Sequence, residues 1–174
     1  MALDFEELNC FIETILAAND GDHFTTLGIR PEYVERHRAG LSMPYGEALV
    51  GNPDTGVIHG GAITALLDTC CGFAAATALD DLGLTPTIDL RIDYMRPATP
   101  GLTVYADAEV YRVTESVIFT RAIAHHGDTN LTIAAGVGNF FRMEPDLFAD
   151  MRRGFRASQA VKNGKLKSGD SANG

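Results

Sequence analysis

Apolar residues recur with a helical period in two stretches of this chain. Between Leu3 and Ala18 they follow the i, i+3, i+4, i+7 spacing of an amphipathic helix, which is predicted to end near residues 19–21. A second helix is predicted over Gly60–Leu79, where no proline occurs and apolar residues lie around nearly the whole circumference. That pattern is typical of a helix buried at the centre of a domain.

Beyond the second helix the period changes to two, which is the spacing of β-strands. The connections are short and rich in turn residues, and they favour an antiparallel meander. One or two shorter strands are expected earlier, within residues 23–58, around Tyr33–Arg38 and Leu41–Met43, followed by a loop over residues 51–56. The four later strands are predicted at Thr87–Tyr94, Leu102–Tyr111, Ser116–His125 and Leu131–Arg142.

The order of these elements predicts an α+β fold in which an antiparallel sheet wraps around one long central helix, with an extra helix at the N-terminus. The last predicted strand, Leu131–Arg142, is rich in glycine and alanine and is expected to form an open edge. Because an open edge usually needs a partner, we expect two copies of the chain to pair by continuing the sheet.

The net charge of −9 conceals two parts of opposite sign. Residues 1–150 carry 8 Arg, no Lys and 22 acidic residues, whereas residues 151–174 carry 6 basic residues and one acidic residue. We predict a single domain over residues 1–150 and a basic, disordered tail over 151–174, with a docking role for the tail as the alternative. A domain this acidic argues against a nucleic-acid partner.

The three cysteines, Cys10, Cys70 and Cys71, are odd in number and two of them are adjacent. They fit neither a disulfide framework nor the usual spacing of a zinc site. No basic segment of the kind that begins a signal peptide is evident, and polar residues interrupt the longest apolar run. We therefore expect a cytoplasmic protein with no membrane span, no bound metal and no cofactor.

Asp68 is the only formally charged residue between Thr55 and Leu79. A carboxylate in such an apolar helix is costly unless it is hydrogen-bonded or does chemical work. In a structural interpretation the side chain bonds to a strand or to a threonine hydroxyl. In a catalytic one it reacts with a substrate, and the residues alone favour neither.

Residues His59, Gly60 and Gly61 lead into the same helix. A helix N-terminus presents unpaired N–H donors and a positive dipole end, and two glycines leave these donors unobstructed. Such a site can hold a carbonyl oxygen or an oxyanion. A tight entry into the helix is the simpler explanation of the glycines.

Together these residues resemble a known family. Residues 56–61, Gly-Val-Ile-His-Gly-Gly, followed by Asp68 nine residues after the histidine, resemble the signature of hotdog-fold thioesterases of the phenylacetate-pathway (PaaI-like) type. Residues 87–89, Thr-Ile-Asp, and 92–97, Ile-Asp-Tyr-Met-Arg-Pro, resemble the strand that follows the helix in that family. The resemblance implies a hotdog fold and hydrolysis of an acyl-CoA or aryl-CoA thioester to the carboxylic acid and free coenzyme A.

The resemblance also implies roles for individual residues. The amide of Gly60 polarises the thioester carbonyl with support from Gly61, and Asp68 acts as nucleophile or general base on a substrate held largely by the other copy of a homodimer or of a dimer-of-dimers tetramer. Thr87 helps to place the attacking water, and His59 shapes the loop. Asn52 orients the same groups, although it lies one residue further from the histidine than in relatives.

Coenzyme A carries phosphates, which arginine binds well. Arg96 resembles a position close to the nucleotide in the family, and a plain surface charge is the alternative. Cys70 and Cys71 are better explained as buried packing thiols than as nucleophiles. The pair His125-His126 is better explained as the end of a hairpin than as a metal site, because no third ligand is suitably spaced.

Two other functions stay open. A non-catalytic acyl-CoA-binding module would use the same fold without turnover. A hydratase or dehydratase is less favoured, because that chemistry usually needs an Asp–His pair within one motif and no histidine follows Asp68 until His125.

Overall fold

The computed structural model describes residues 23–79 and 84–143. The helix predicted at residues 3–18 and the tail predicted at 151–174 lie outside the described residues. The chain divides into two compact units, Met1–Arg142 and Met143–Gly174, and every described residue except Met143 belongs to the first. Its described elements are α1 (His23–Leu27), β1 (Arg30–Glu35), β2 (Arg38–Met43), a 3-10 turn (Glu47–Leu49), β3 (Val50–Asn52), β4 (Val57–Ile58), α2 (Gly60–Ala76), β5 (Thr87–Tyr94), β6 (Val104–Val113), β7 (Val117–His125) and β8 (Ala134–Phe141).

Six of the described strands form one antiparallel sheet in the order β1-β2-β6-β7-β8-β5, and β3 pairs only with β4. The predicted α+β fold, with one long helix on an antiparallel sheet, is confirmed. Strand Thr87–Tyr94 is confirmed to the residue, and the other predicted strands and the helix end within three residues of the observed bounds. The loop predicted over residues 51–56 is partly wrong, because it begins inside β3 and continues as the turn of a small hairpin.

The predicted meander of four consecutive strands is wrong for β5. Strands β6, β7 and β8 follow one another as neighbours, but β5 pairs with β8 rather than with β6. Three strand spacings of about 4.8 Å separate β5 from β6. Residues 95–103 can span about 30 Å when extended, so this connection is long enough to cross over despite its turn-like composition.

The open edge predicted at Leu131–Arg142 is also wrong, because β8 lies inside the sheet between β7 and β5. Among the described strands, the edges of this sheet are β1 and β5. On and just after β5, Ile88 is 54% exposed, Tyr94 is 52% exposed and Met95 is 60% exposed. The expected pairing of two copies through a sheet edge therefore moves from β8 to β5.

Helix α2 lies on one face of the sheet and forms the centre of the core. The thiol of Cys70 contacts the carbonyl oxygens of Ala39 on β2 and Ala106 on β6, both at 3.3 Å, which shows how closely the small strand residues let the helix approach. The other side of α2 is only half-buried, although its residues are also largely apolar. The fully covered face consists of Ala62, Ile63, Leu66, Leu67, Cys70, Cys71, Ala74 and Ala75.

Gly40 on β2 tests how tightly the other face of the sheet is packed. A Cβ atom at Gly40 would overlap the ring of Tyr33, whose hydroxyl donates to Asp107 at 2.6 Å. We expect Gly40→Ala to lower the free energy of unfolding by about 1–3 kcal/mol, measured by urea denaturation, because the ring has to move.

The matched control is Gly72→Ala on α2. There a Cβ would lie 3.5 Å from Phe140 Cε1, an ordinary contact, and alanine favours a helix over glycine by about 1 kcal/mol. We expect no loss of stability in this variant. Equal losses in the two variants would contradict the packing described for Gly40.

Candidate active site

Asp68 and Thr87 are brought together where α2 packs against β5. The Thr87 hydroxyl donates a hydrogen bond to Asp68 Oδ1 at 2.9 Å. Asp68 is half-buried and Thr87 is exposed. A threonine hydroxyl can donate its proton to a carboxylate and still accept a hydrogen bond from water. The carboxylate is therefore held by a partner, as the structural interpretation requires, and remains partly open, as the catalytic one requires.

A bulge in β5 turns the Thr87 side chain toward the helix. Ile92 packs against the core and Tyr94 reaches α2, so simple alternation would place Thr87 on the opposite face of the strand. The pairing of β5 with β8 shifts register between Thr87 and Asp89. A bulge commonly redirects a side chain, and this one brings the Thr87 hydroxyl to Asp68.

Helix α2 begins at Gly60 with His59 as its N-cap. The Gly61 N–H donates to His59 Nδ1 at 2.9 Å, and the Ala62 N–H donates to the His59 carbonyl oxygen at 2.9 Å. As the first residue of the helix, Gly60 has no intrahelical acceptor for its own N–H. The Gly60 amide therefore has no acceptor within the helix, whereas the Gly61 amide is already used by His59.

Tyr94 is a site residue that the sequence did not single out. Its hydroxyl donates to the Gly60 carbonyl oxygen at 2.7 Å and lies 2.6 Å from Thr64 Oγ1. A Cβ at Gly60 would come within 3.2 Å of Tyr94 Cζ, so glycine lets the ring pack closely against the helix start. The available signal was its place at the end of β5, in register with the residues that face the helix.

Gly60 and Asp68 lie on the same helix but more than two turns apart. Eight residues at about 1.5 Å each separate their Cα atoms by about 12 Å along the axis. A carbonyl that is attacked by one group and stabilised by the other needs each of them within about 3 Å. The Gly60 amide and the Asp68 carboxylate of a single chain therefore cannot act on the same thioester carbonyl.

The side chain of Asn52 holds its own turn. Its Oδ1 accepts from the Asp54 N–H at 3.0 Å, and its carbonyl oxygen accepts from the Gly56 N–H at 2.9 Å. Such local bonds are typical of asparagine in turns. Within the described residues no hydrogen bond joins Asn52 to Asp68 or to Gly60, so the structure does not bring it into contact with the other candidates.

Arg96 lines a cavity of about 320 Å³ beside the start of α2. Tyr94 also lines this cavity, which connects it to the helix entry, whereas Asp68 does not. The full lining consists of Val57, Ile58, Gly60, Ile63, Tyr94, Met95, Arg96, Pro97 and Ala98. The cavity thus offers an apolar surface next to one amide donor and one guanidinium.

The two cysteines of α2 are free and buried. Burial raises the pKa of the Cys71 thiol to about 11, although a hydrogen bond with Thr120 opposes the shift. Burial also raises the pKa of Cys70 well above its usual value, with the neighbouring Cys71 adding to the effect. Both thiols are therefore protonated near neutral pH and are poor nucleophiles, as expected from the sequence.

His125 belongs to a separate polar cluster on β1, β6 and β7. Its Nε2 lies 2.6 Å from Asp107 Oδ2, and its Nδ1 accepts from the Gly127 N–H at 2.9 Å. Burial, followed by the hydrogen bond to Asp107, raises the pKa of Tyr33 far above its ordinary value.

In the described part of the chain, no three metal-ligating side chains come together. Within those same residues, no helix is long and apolar enough to cross a membrane.

Comparison with known proteins identifies a family. The model of the thioesterase superfamily matches residues 55–133. A protein of Halobacterium salinarum, described provisionally as an esterase, is 36% identical over 122 residues, covering 66% of this chain and 80% of that protein. The medium/long-chain acyl-CoA thioesterase YigI of Escherichia coli is 29% identical over 127 residues, covering 66% of this chain and 81% of that protein.

Solved structures agree with the observed fold. A crystal structure of a Pseudomonas aeruginosa protein is 45% identical, with a TM-score of 0.67, and the match covers 80% of this chain and 98% of that chain. The Escherichia coli PaaI protein of the phenylacetic acid degradation operon has a TM-score of 0.68 at 20% identity, covering 81% of this chain and 97% of that chain. The predicted hotdog fold is thereby confirmed.

The contact of Tyr94 with the helix start can be tested without a substrate. Tyr94→Phe keeps the ring but removes the hydroxyl that bonds to the Gly60 carbonyl, so we expect a loss of about 0.5–1.5 kcal/mol in unfolding free energy. Amide hydrogen exchange at residues 60–62 should also become faster. Tyr111→Phe is the control, because Tyr111 is 51% exposed and its hydroxyl makes no hydrogen bond to other described residues. Unchanged exchange in Tyr94→Phe would rule out this role.

Proposed function

Since the chain belongs to the thioesterase superfamily and is a thioester hydrolase, we propose that its substrates are acyl-CoA or aryl-CoA thioesters, which it cleaves to the carboxylic acid and free coenzyme A. The observation that carries this proposal is the hydrogen bond from Thr87 to Asp68, which holds the one carboxylate of an apolar helix in a partly open position. The name of the Escherichia coli relative supports a coenzyme A thioester as the substrate.

Asp68 is the proposed reactive group. It either attacks the thioester carbonyl carbon itself, giving an anhydride that water then opens, or it removes a proton from a water molecule that attacks. In both routes the C–S bond breaks, and the sulfur leaves as the coenzyme A thiol. Thr87 orients the carboxylate and offers its oxygen to the attacking water, and base catalysis of this kind contributes about 10²–10⁴-fold.

Gly60 is the proposed stabiliser of the carbonyl oxygen. Its amide has no acceptor within the helix and lies at the positive end of the helix dipole. One such donor contributes about 3–4 kcal/mol when negative charge develops on the oxygen. Tyr94 and His59 then serve to fix the helix entry, through the Gly60 carbonyl and the Gly61 amide.

A second copy of the chain completes the proposed site. Because about 12 Å of helix separates Gly60 from Asp68, the two groups that act on one carbonyl have to come from different copies. Antiparallel pairing of β5 with the β5 of a second copy would set the Thr87 end of one strand beside the Tyr94 end of the other. Asp68 of one copy then approaches Gly60 of its partner. The proposed assembly is a homodimer, alone or as half of a tetramer.

Arg96 is proposed to bind phosphate of coenzyme A. It lines the same cavity as Gly60, and a guanidinium binds phosphate oxygens in a bidentate manner. Asn52 is proposed to act only indirectly, by holding the turn before the helix entry. The proposed location is the cytoplasm, supported by the two free, buried thiols of α2.

The central test is Asp68→Asn, which keeps the size of the side chain but removes its charge. We expect turnover to fall by about 10²-fold or more, while the fold and the affinity for coenzyme A are retained. Free-thiol release over a panel of hexanoyl-, decanoyl-, palmitoyl- and phenylacetyl-CoA measures this and defines the preferred acyl group. Asp128→Asn, in the loop between β7 and β8, is the matched control and should keep full activity.

Each outcome discriminates between functions. Wild-type activity in Asp68→Asn would show that Asp68 is not the reactive group. A parent protein that binds coenzyme A but releases no thiol from any thioester of the panel would favour the non-catalytic acyl-CoA-binding module instead.

The shared site can be tested by mixing two inactive variants. Gly60→Pro removes the amide proton, and proline is well accepted at the first position of a helix. Its Cβ would lie 3.2 Å from Tyr94 Cζ, so the ring has to shift by a few tenths of an ångström. Co-expression of Gly60→Pro with Asp68→Asn should restore about a quarter of wild-type activity, because about half of the dimers are mixed and each mixed dimer has one intact site of two.

Dimers of Gly60→Pro alone and of Asp68→Asn alone serve as controls and should remain inactive. If the two residues acted within one copy, the mixture would stay as inactive as its components, and the shared site would be excluded.

A further inference from the structure

The loop between β5 and β6, residues 95–103, forms one wall of the cavity beside the helix start. Met95, Arg96, Pro97 and Ala98 all line the cavity. At its beginning this loop is tied to the segment before β8, because the N–H groups of Met95 and Arg96 both donate to the Ile133 carbonyl oxygen, at 2.8 and 3.1 Å. The second half of the loop, residues 99–103, is held by a contact with His126.

His126 bridges the second half of that loop. Its Nε2 accepts a hydrogen bond from the Thr99 N–H at 2.8 Å, and its Nδ1 lies 2.7 Å from the Thr103 carbonyl oxygen. A backbone N–H can only donate and a carbonyl oxygen can only accept. These contacts fit a ring that donates from Nδ1 and accepts at Nε2, so a single imidazole joins both ends of the 99–103 turn.

Within the second half of the loop, the Leu102 N–H donates to the Thr99 carbonyl oxygen at 3.3 Å. Pro97 and Pro100 supply no N–H donor. Thr99 lies between them and directly follows Ala98, a fully buried residue of the cavity wall. Pro100 also packs beside Gly56, where an added Cβ would lie 3.3 Å from Pro100 Cβ. The bond from Thr99 to His126 thus acts together with the bonds to Ile133 and the burial of Ala98 to position this wall of the cavity.

We propose that His126 is a positioning residue for binding of the coenzyme A part of the substrate. It touches none of the groups assigned to the reaction and acts through Thr99 on the wall that carries Arg96. The inference rests on the proposed function, since it takes the cavity beside Gly60 and Arg96 as the coenzyme A site. It assigns to the second histidine of His125-His126 a role separate from that of the first, which belongs to the Asp107 cluster.

Steady-state kinetics with decanoyl-CoA and calorimetric titration with coenzyme A test the proposal. His126→Ala should raise KM, and the Kd of coenzyme A, by about fivefold to tenfold while kcat changes by less than about twofold. His126→Gln places an oxygen near the Nε2 position and should restore binding. His126→Asn can keep only the bond to Thr103 and should not. Tyr33→Phe, which removes the hydroxyl bond to Asp107, is the control for stability and should change neither KM nor Kd.

The tautomer of the His126 ring provides an independent test of the proposal. Long-range ¹H–¹⁵N spectra recorded at neutral pH should show the Nδ1–H tautomer for His126. They should show the Nε2–H tautomer for His125 and His59, whose Nδ1 atoms accept backbone N–H groups. These two histidines are controls within the same sample.

The outcomes separate this proposal from the one on which it rests. An unchanged Kd for coenzyme A in His126→Ala, failure of His126→Gln to restore binding, or an Nε2–H tautomer at His126 would each overturn the role of His126. Absence of thiol release by the parent protein, with the tautomer and the Kd shift as expected, would overturn hydrolysis but keep His126 as a positioning residue of a binding site.

Discussion

Strand β5 holds helix α2 at two points, and the arrangement of the candidate site depends on them. At one end Thr87 donates to the Asp68 carboxylate, and at the other Tyr94 donates to the Gly60 carbonyl oxygen. Both contacts join a polar group of a largely apolar helix to a side chain on β5, the strand at the edge of the described sheet. Because β8 is the only described strand that pairs with β5, these contacts lie along an edge of the described sheet. The candidate reactive groups are therefore placed where a second molecule can reach them.

Much of this arrangement could be predicted from the sequence, since local patterns determine it. The change from helical to strand period located α2 and the later strands, and the glycines after His59 located the helix entry. Asp68 was conspicuous because no other formally charged residue occurs on that helix. The resemblance to thioesterases added Thr87 as a residue that helps to place the attacking water, and the structure brings its hydroxyl into contact with Asp68.

What the sequence could not predict depends on contacts between distant segments. The pairing of β5 with β8 joins residues about fifty positions apart, and no local pattern specifies it. The bulge that turns Thr87 toward Asp68 breaks the strict alternation on which strand analysis relies. Tyr94 has an ordinary pattern for a strand residue, and its role becomes visible only once its hydroxyl is seen at Gly60. For Asn52 the sequence predicted a site residue, but the structure shows its side chain bonded within its own turn. Asparagine commonly forms such turns, whatever its distance from a site in sequence.

Charge and helix geometry together limit how such a site can work. Coenzyme A is strongly anionic while the chain has a net charge of −9, so the proposed binding would rely on local groups such as Arg96. Salt reduces the long-range repulsion beyond about 8 Å, which leaves the short-range contacts to decide affinity. If Gly60 and Asp68 act on one carbonyl as proposed, the length of α2 between them requires a site shared by two copies. If β5 pairs with its copy so that Thr87 faces Tyr94, the extra residue of the bulge between Thr87 and Asp89 places the two-fold axis at Arg91. A slip of one residue would turn alternate side chains to the wrong face. In the proposed dimer, the helix–strand contacts that hold each half-site would therefore also set the register in which the two halves meet.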